Sequence, residues 1–187
     1  MSERSYEEDR AHEKAIMPRV KDLVAEVFFP DRVDNATEYL DQRCATDLVL
    51  VSPTGTPQHL AVRVRNYSPY FLRYPDDITL RVRRGSGAKT EYEKICDGFG
   101  DLCFYGFQHE GDVPKWRILD LDQLRALLPL ALFVDRDNRD GLSTLRAFNL
   151  TQWVGLATLI VADSAWPLHE NRTQIAARAT RRRSRRT

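Results

Sequence analysis

The 187-residue sequence predicts a single α/β domain in which a central mixed sheet is flanked by helices. Three observations lead there. Apolar residues Ile16, Val20, Leu23, Val24 and Val27 recur at helical spacing, which gives one apolar stripe. From Asp47 to Arg65 the chain alternates like a hairpin, with Leu60, Val62 and Val64 on one face of the return strand and Ala61, Arg63 and Arg65 on the other. A hydrophobic content of 42% and a charged content of 29% describe an ordinary globular chain, long enough to bury roughly 70% of its unfolded surface in one core.

The elements follow in order. The first helix should end near Phe28-Phe29-Pro30, since proline cannot continue it. Residues 31–42 read as a strand or loop, with Glu38 to Asp41 able to form a helical turn. Gly55, between Pro53 and Pro57, supplies the hairpin tip. An aromatic loop, Asn66 to Pro75, leads into a strand at Ile78–Val82, and Gly85 and Gly87 break the chain. Thr90-Glu-Tyr-Glu93 has the form of a helix start. Strands are expected at Asp101–Phe107 and Lys115–Leu119, and Asp120 should cap a helix running to Leu128. After a short apolar piece, Leu130–Val134, an edge strand is expected at Ser143–Phe148. A last apolar helix from Asn149 or Thr151 should reach Ile160.

The formal net charge of +1 hides an asymmetry. Seven of the 28 basic residues lie in 172–187, which contains no acid, so the 27 acids outnumber the bases before it by six. Such a basic run repels itself and buries little, which predicts a disordered tail at 172–187 after a folded domain at 14–171 and a polar segment at 1–13. Cys44, Cys96 and Cys103 lack paired spacing, so neither a disulfide framework nor a zinc site is expected. No apolar run is long enough to span a bilayer, and the start lacks a signal-peptide pattern, which places the expected compartment in the cytoplasm. His12, His59, His109 and His169 form no metal or catalytic motif.

The chemistry concentrates on the hairpin. Asp47 opens one strand, Arg63 and Arg65 share a face of the next, and Arg81, Arg83 and Arg84 could complete a basic floor for phosphates. Tyr67, Tyr70, Phe71 and Tyr74 lie among these arginines, where aromatic rings can stack on unpaired bases. Over residues 14–125 this arrangement resembles the PD-(D/E)XK nuclease superfamily, whose restriction-endonuclease-like fold carries one acidic residue on one strand of a hairpin and an acid-spacer-lysine pattern on the next. The resemblance implies carboxylates that hold Mg²⁺ against a scissile phosphate and a cation that orients the attacking water. Carried onto this chain, Asp47 takes the first acidic position, Ala61 stands at the second and Arg63 at that of the lysine. Alanine cannot ligate metal, and arginine is a poor substitute for a water-orienting lysine. A displaced carboxylate from Glu38, Asp41 or Glu26 would restore a site, and Glu91, Tyr92 and Lys94 resemble the helix flanking the active face.

Two activities follow from the resemblance. One is a magnesium-dependent phosphodiesterase, a hydrolase with Asp47, Glu38 and Asp41 on the metal and Arg63 on the phosphate. The other is a degenerate relative that only binds nucleic acid, DNA favoured over RNA, through Arg65, Arg81, Arg83, Tyr67 and Tyr70. The alternative class is a non-enzymatic scaffold, of phage origin, that contacts protein partners or self-associates through its acidic body and basic tail.

Overall fold

The computed structural model describes residues 6–52, 56–66, 73–138, 141–153 and 156–184. It has the expected α/β character, a mixed central sheet between helices, with a second small sheet on one face. Helix α1 (Tyr6–Phe28) buries Ile16, Val20, Leu23, Val24 and Val27, the stripe read from their spacing. It stops where Phe29 takes a φ of 47° just before Pro30. Strand β1 (Arg32–Asn35) and helix α2 (Glu38–Cys44, capped by Thr37) precede β2 (Leu48–Val51). Next come β3 (Gln58–Asn66), β4 (Asp77–Arg84), α3 (Glu91–Cys96), β5 (Leu102–His109) and β6 (Asp112–Asp120). Asp120 caps α4 (Leu121–Leu127), its carboxylate accepting from the backbone N–H of Asp122 and Gln123. The chain closes with β7 (Val134–Asp137), β8 (Ser143–Asn149), α5 (Leu156–Leu159), β9 (Ile160–Asp163) and α6 (Leu168–Ser184).

The six-stranded sheet has the order β1-β2-β3-β5-β6-β9. Its neighbours are antiparallel except β3 and β5, which run parallel because the chain crosses between them through β4 and α3. Alternation divides two cores. Leu60, Leu102, Phe104 and Ile118 face α1, while Ala61, Cys103, Tyr105 and Phe107 face the small sheet, whose order is β4-β8-β7 and which contributes Ile78, Leu80 and Phe148. Gly106 sits in the middle of β5, where an added Cβ would lie 2.6 Å from Val113 Cγ1 and 2.9 Å from Phe104 Cε1. Both neighbours are buried and stiff, so Gly106→Ala is expected to cost about 1–3 kcal/mol by overpacking, measured by urea unfolding.

The structure departs from the sequence reading in three places. Ser143–Asn149 is the central strand of the small sheet, paired on both sides, rather than an edge. The helix expected up to Ile160 is a 3-10 turn at Leu150–Gln152, then the short α5, and then β9, whose four residues are all buried beside β6. A short apolar run does not distinguish buried strand from helix, and here the open edge of β6 recruits it.

The third departure is the basic segment. Residues 172–184 continue α6 instead of forming a disordered tail. Leu168 and Ile175 pack on the α1 core, and the Asn171 side chain bonds the N–H and carbonyl of Asp163. Arg178 is buried, with Nε donating to Asp120 Oδ2 at 2.6 Å and Nη2 to the Asp101 carbonyl at 3.1 Å. Those anchors outweigh the repulsion among the arginines, so the domain takes in this helix as well as residues 6–13 of α1. Among the described residues no helix is long and apolar enough to cross a membrane.

Candidate nucleic-acid interface

The site grows from the β2–β3 pairing. Register sets Leu48 opposite Leu60, so Asp47 lies at the end of the ladder, its N–H donating to the Leu60 carbonyl. Its carboxylate Oδ2 accepts from the Val62 N–H at 2.6 Å, a strand-end role that holds β3 in place. On β3, Ala61 stands beside Cys103 and Arg63 beside Tyr105, so the arginine face lies on the side covered by β4 and α3. Burial, and next Glu91, push the Cys103 thiol up, which leaves it an inert core group.

Helix α3 is set by a complete capping box. Thr90 accepts from the Glu93 N–H, and the Glu93 carboxylate accepts from the Thr90 N–H at 2.7 Å. Glu91 and Lys94, three apart, then share one face of the helix. Glu91 Oε2 is 3.4 Å from Arg63 Nη1, with only 13% and 18% of their side chains exposed. Lys94 is 8% exposed, and its Nζ donates to the Asp41 carbonyl at 3.1 Å. Burial and the nearby Arg84 pull its pKa down, against the opposing pull of Asp41 and Asp47.

Strand β4 completes the cluster. Arg65 reaches Thr79 Oγ1 at 2.7 Å, in a network that includes the Tyr105 hydroxyl. The β4–β8 register shifts between Arg81 and Arg83, and such a shift re-aims side chains. Arg83 turns outward to Thr144, Asp137 and the Gly141 carbonyl, while Arg84 comes within electrostatic range of Arg81 and Lys94. Desolvation, and then Arg63, lower the pKa of Arg65; desolvation and then Arg63, Arg84 and Arg65 lower that of Arg81. Since arginine stays protonated, these shifts express the cost of crowding cations out of water.

Of the residues singled out in the sequence, Asp47, Arg63, Arg65, Arg81, Arg84, Glu91 and Lys94 meet here. Glu38 is exposed on α2 and accepts from Gln42 Nε2 at 2.8 Å. Asp41 is exposed too and meets the cluster through its carbonyl to Lys94. Tyr67, Tyr70, Phe71 and the Gly55 tip lie outside the described residues, whereas Tyr74 is half-buried under the Arg73 guanidinium.

Magnesium is usually held by one or two carboxylates, with waters and substrate phosphates completing its shell. Ala61 has no donor, Glu91 is ion-paired with Arg63, and among the described residues no group of three His, Cys, Asp or Glu side chains could share a metal. Five cations, Arg63, Arg65, Arg81, Arg84 and Lys94, face three carboxylates, Glu91, Asp47 and the exposed Asp41. The Nε atoms of Arg65, Arg81 and Arg84 are buried and have no hydrogen-bond partner among the described residues. Buried donors of this kind call for an acceptor, and the excess charge calls for an anionic one. Comparison with protein-family models, curated proteins and solved structures finds no match for this chain.

Proposed function

We propose that the protein binds nucleic acid through phosphate contacts at this cationic cluster, as a metal-independent relative of the PD-(D/E)XK nucleases that acts in the cytoplasm. The observation that carries this is the set of buried Nε donors on Arg65, Arg81 and Arg84 in a site with two more cations than carboxylates. An anionic ligand would supply acceptors to those donors and relieve the repulsion among the guanidiniums. The resemblance of the Asp47 hairpin to the nuclease superfamily adds the class of anion. Ala61 and the Arg63–Glu91 pair weigh against the hydrolytic version of the same reading.

The test is binding of labelled single-stranded, duplex and branched DNA and RNA in EDTA, with a parallel incubation in magnesium scored for cleavage. Expected is binding that weakens steeply with salt, since each phosphate neutralised releases counterions. Asp47→Asn keeps an acceptor for the Val62 N–H and removes a negative charge, so affinity should be unchanged or a few-fold tighter. Magnesium-dependent cleavage lost in Asp47→Asn would contradict the proposal in favour of a nuclease, and absence of any binding would contradict both.

One observation favours the scaffold reading. Leu130 and Leu132 are 80% and 79% exposed, beside Phe133 and Val134 in the connection to β7, a strand with no buried residue. Clustered apolar exposure of this kind is typical of a protein contact. Leu130→Ser with Leu132→Ser should leave nucleic-acid affinity within about twofold, because neither is part of the cationic cluster. A large loss of affinity would relocate the interface.

A further inference from the structure

We infer that the cluster takes the terminal phosphate of a nucleic-acid strand, a phosphomonoester, in preference to the internal phosphodiesters of a continuous backbone. The inference rests on the nucleic-acid reading above and names the part of the ligand that enters.

Charge is the first argument. The five cations exceed the three carboxylates by two. An internal diester carries one negative charge, whereas a terminal phosphate carries about 1.5 to 2 near neutral pH and presents three acceptor oxygens. Three orphaned Nε donors, on Arg65, Arg81 and Arg84, match that acceptor set better than the two free oxygens of a diester.

Depth is the second. The cations converge from β3, β4 and α3 and are largely covered; Lys94 is 8% exposed and the Arg63 side chain 18%. A continuous strand would have to bring both flanking nucleotides against these covered side chains, while a strand end approaches with a single covalent tether. Proteins that track a backbone instead present their cations along an open groove. Here the outward arginine of β4, Arg83, is already held by Asp137 and Thr144, which leaves the inward cluster as the place of binding.

The experiment compares one oligonucleotide carrying a 5′-phosphate, a 3′-phosphate or neither, in EDTA, by fluorescence anisotropy, with inorganic phosphate and a nucleoside monophosphate as competitors. A phosphorylated end should bind about tenfold or more tightly than the hydroxyl ends, as expected from one or two additional charge-assisted hydrogen bonds. The advantage should vanish in Arg81→Gln/Arg84→Gln and in Lys94→Gln, each checked for folding by its melting temperature. Equal, salt-sensitive affinity for all three oligonucleotides would overturn this inference and leave the nucleic-acid reading standing. A nucleoside monophosphate that binds as tightly as the strand would overturn it as well, because the strand would then contribute nothing. Failure of every oligonucleotide to bind would overturn the functional reading itself.

Discussion

Replacing Arg81 and Arg84 together by glutamine is expected to lower nucleic-acid affinity about 100-fold while raising the melting temperature by about 2–4 °C. The two effects share one cause. Arg81 is desolvated and repelled by Arg63, Arg84 and Arg65, and Arg84 also presses on Lys94. Removing both cations relieves that crowding, an effect moderated by solvent because both side chains are partly exposed. It also removes two of the three orphaned donors that an anion would use. A site kept for binding at the expense of stability shows this opposition, and an ordinary surface patch does not. Affinity and melting temperature measured on the same preparations check it; a variant that is less stable and binds as before would make the cluster structural.

The largest effect on stability is expected where α6 docks on the sheet. Arg178→Ala should cost about 3–5 kcal/mol, because it leaves Asp120 buried and charged without its partner. Asp120 also caps α4, and Arg178 holds the Asp101 carbonyl at the start of β5, so the loss spreads over three elements. Asp120→Asn combined with Arg178→Met should recover part of the loss, since no uncompensated charge then remains. Urea unfolding measures both. A cost below about 1 kcal/mol would mean that α6 is not docked as described.

Much of the architecture was legible before the structure. The stripe on α1, the Thr90 capping box, the Asp120 cap, the alternation of β3 and the apolar run of β5 each rest on local chemistry that a sequence displays directly. The fate of the basic segment was legible too, in a signal that charge obscured. Leu168, Asn171, Ile175 and Arg178 are spaced three, four and three residues apart, which is one face of a helix, and these are the residues that hold α6 to the body.

The site was legible in half. Asp47, Arg63 and Arg65 followed from the hairpin and its alternation. Glu91 and Lys94 were visible as neighbours in a helix start, but only the β3-to-β5 crossover brings that helix over Arg63. The exchange of Arg83 for Arg84 depends on the register shift in β4, and nothing in Arg81-Val-Arg-Arg84 announces a shift that is decided by pairing with β8. Glu38 failed to reach the cluster because α2 turns it to solvent, although its neighbour Asp41 contributes a carbonyl.

The central claim is that the inward arginine cluster binds nucleic acid without metal. Its most direct test is the salt dependence of oligonucleotide affinity in EDTA for the wild type and for Arg81→Gln/Arg84→Gln. The wild type should bind at moderate salt with a log–log slope of about −3 for a single strand, and the double variant should lose about 1.4 units of that slope. No wild-type binding, or a slope that the substitutions leave unchanged, would contradict the claim.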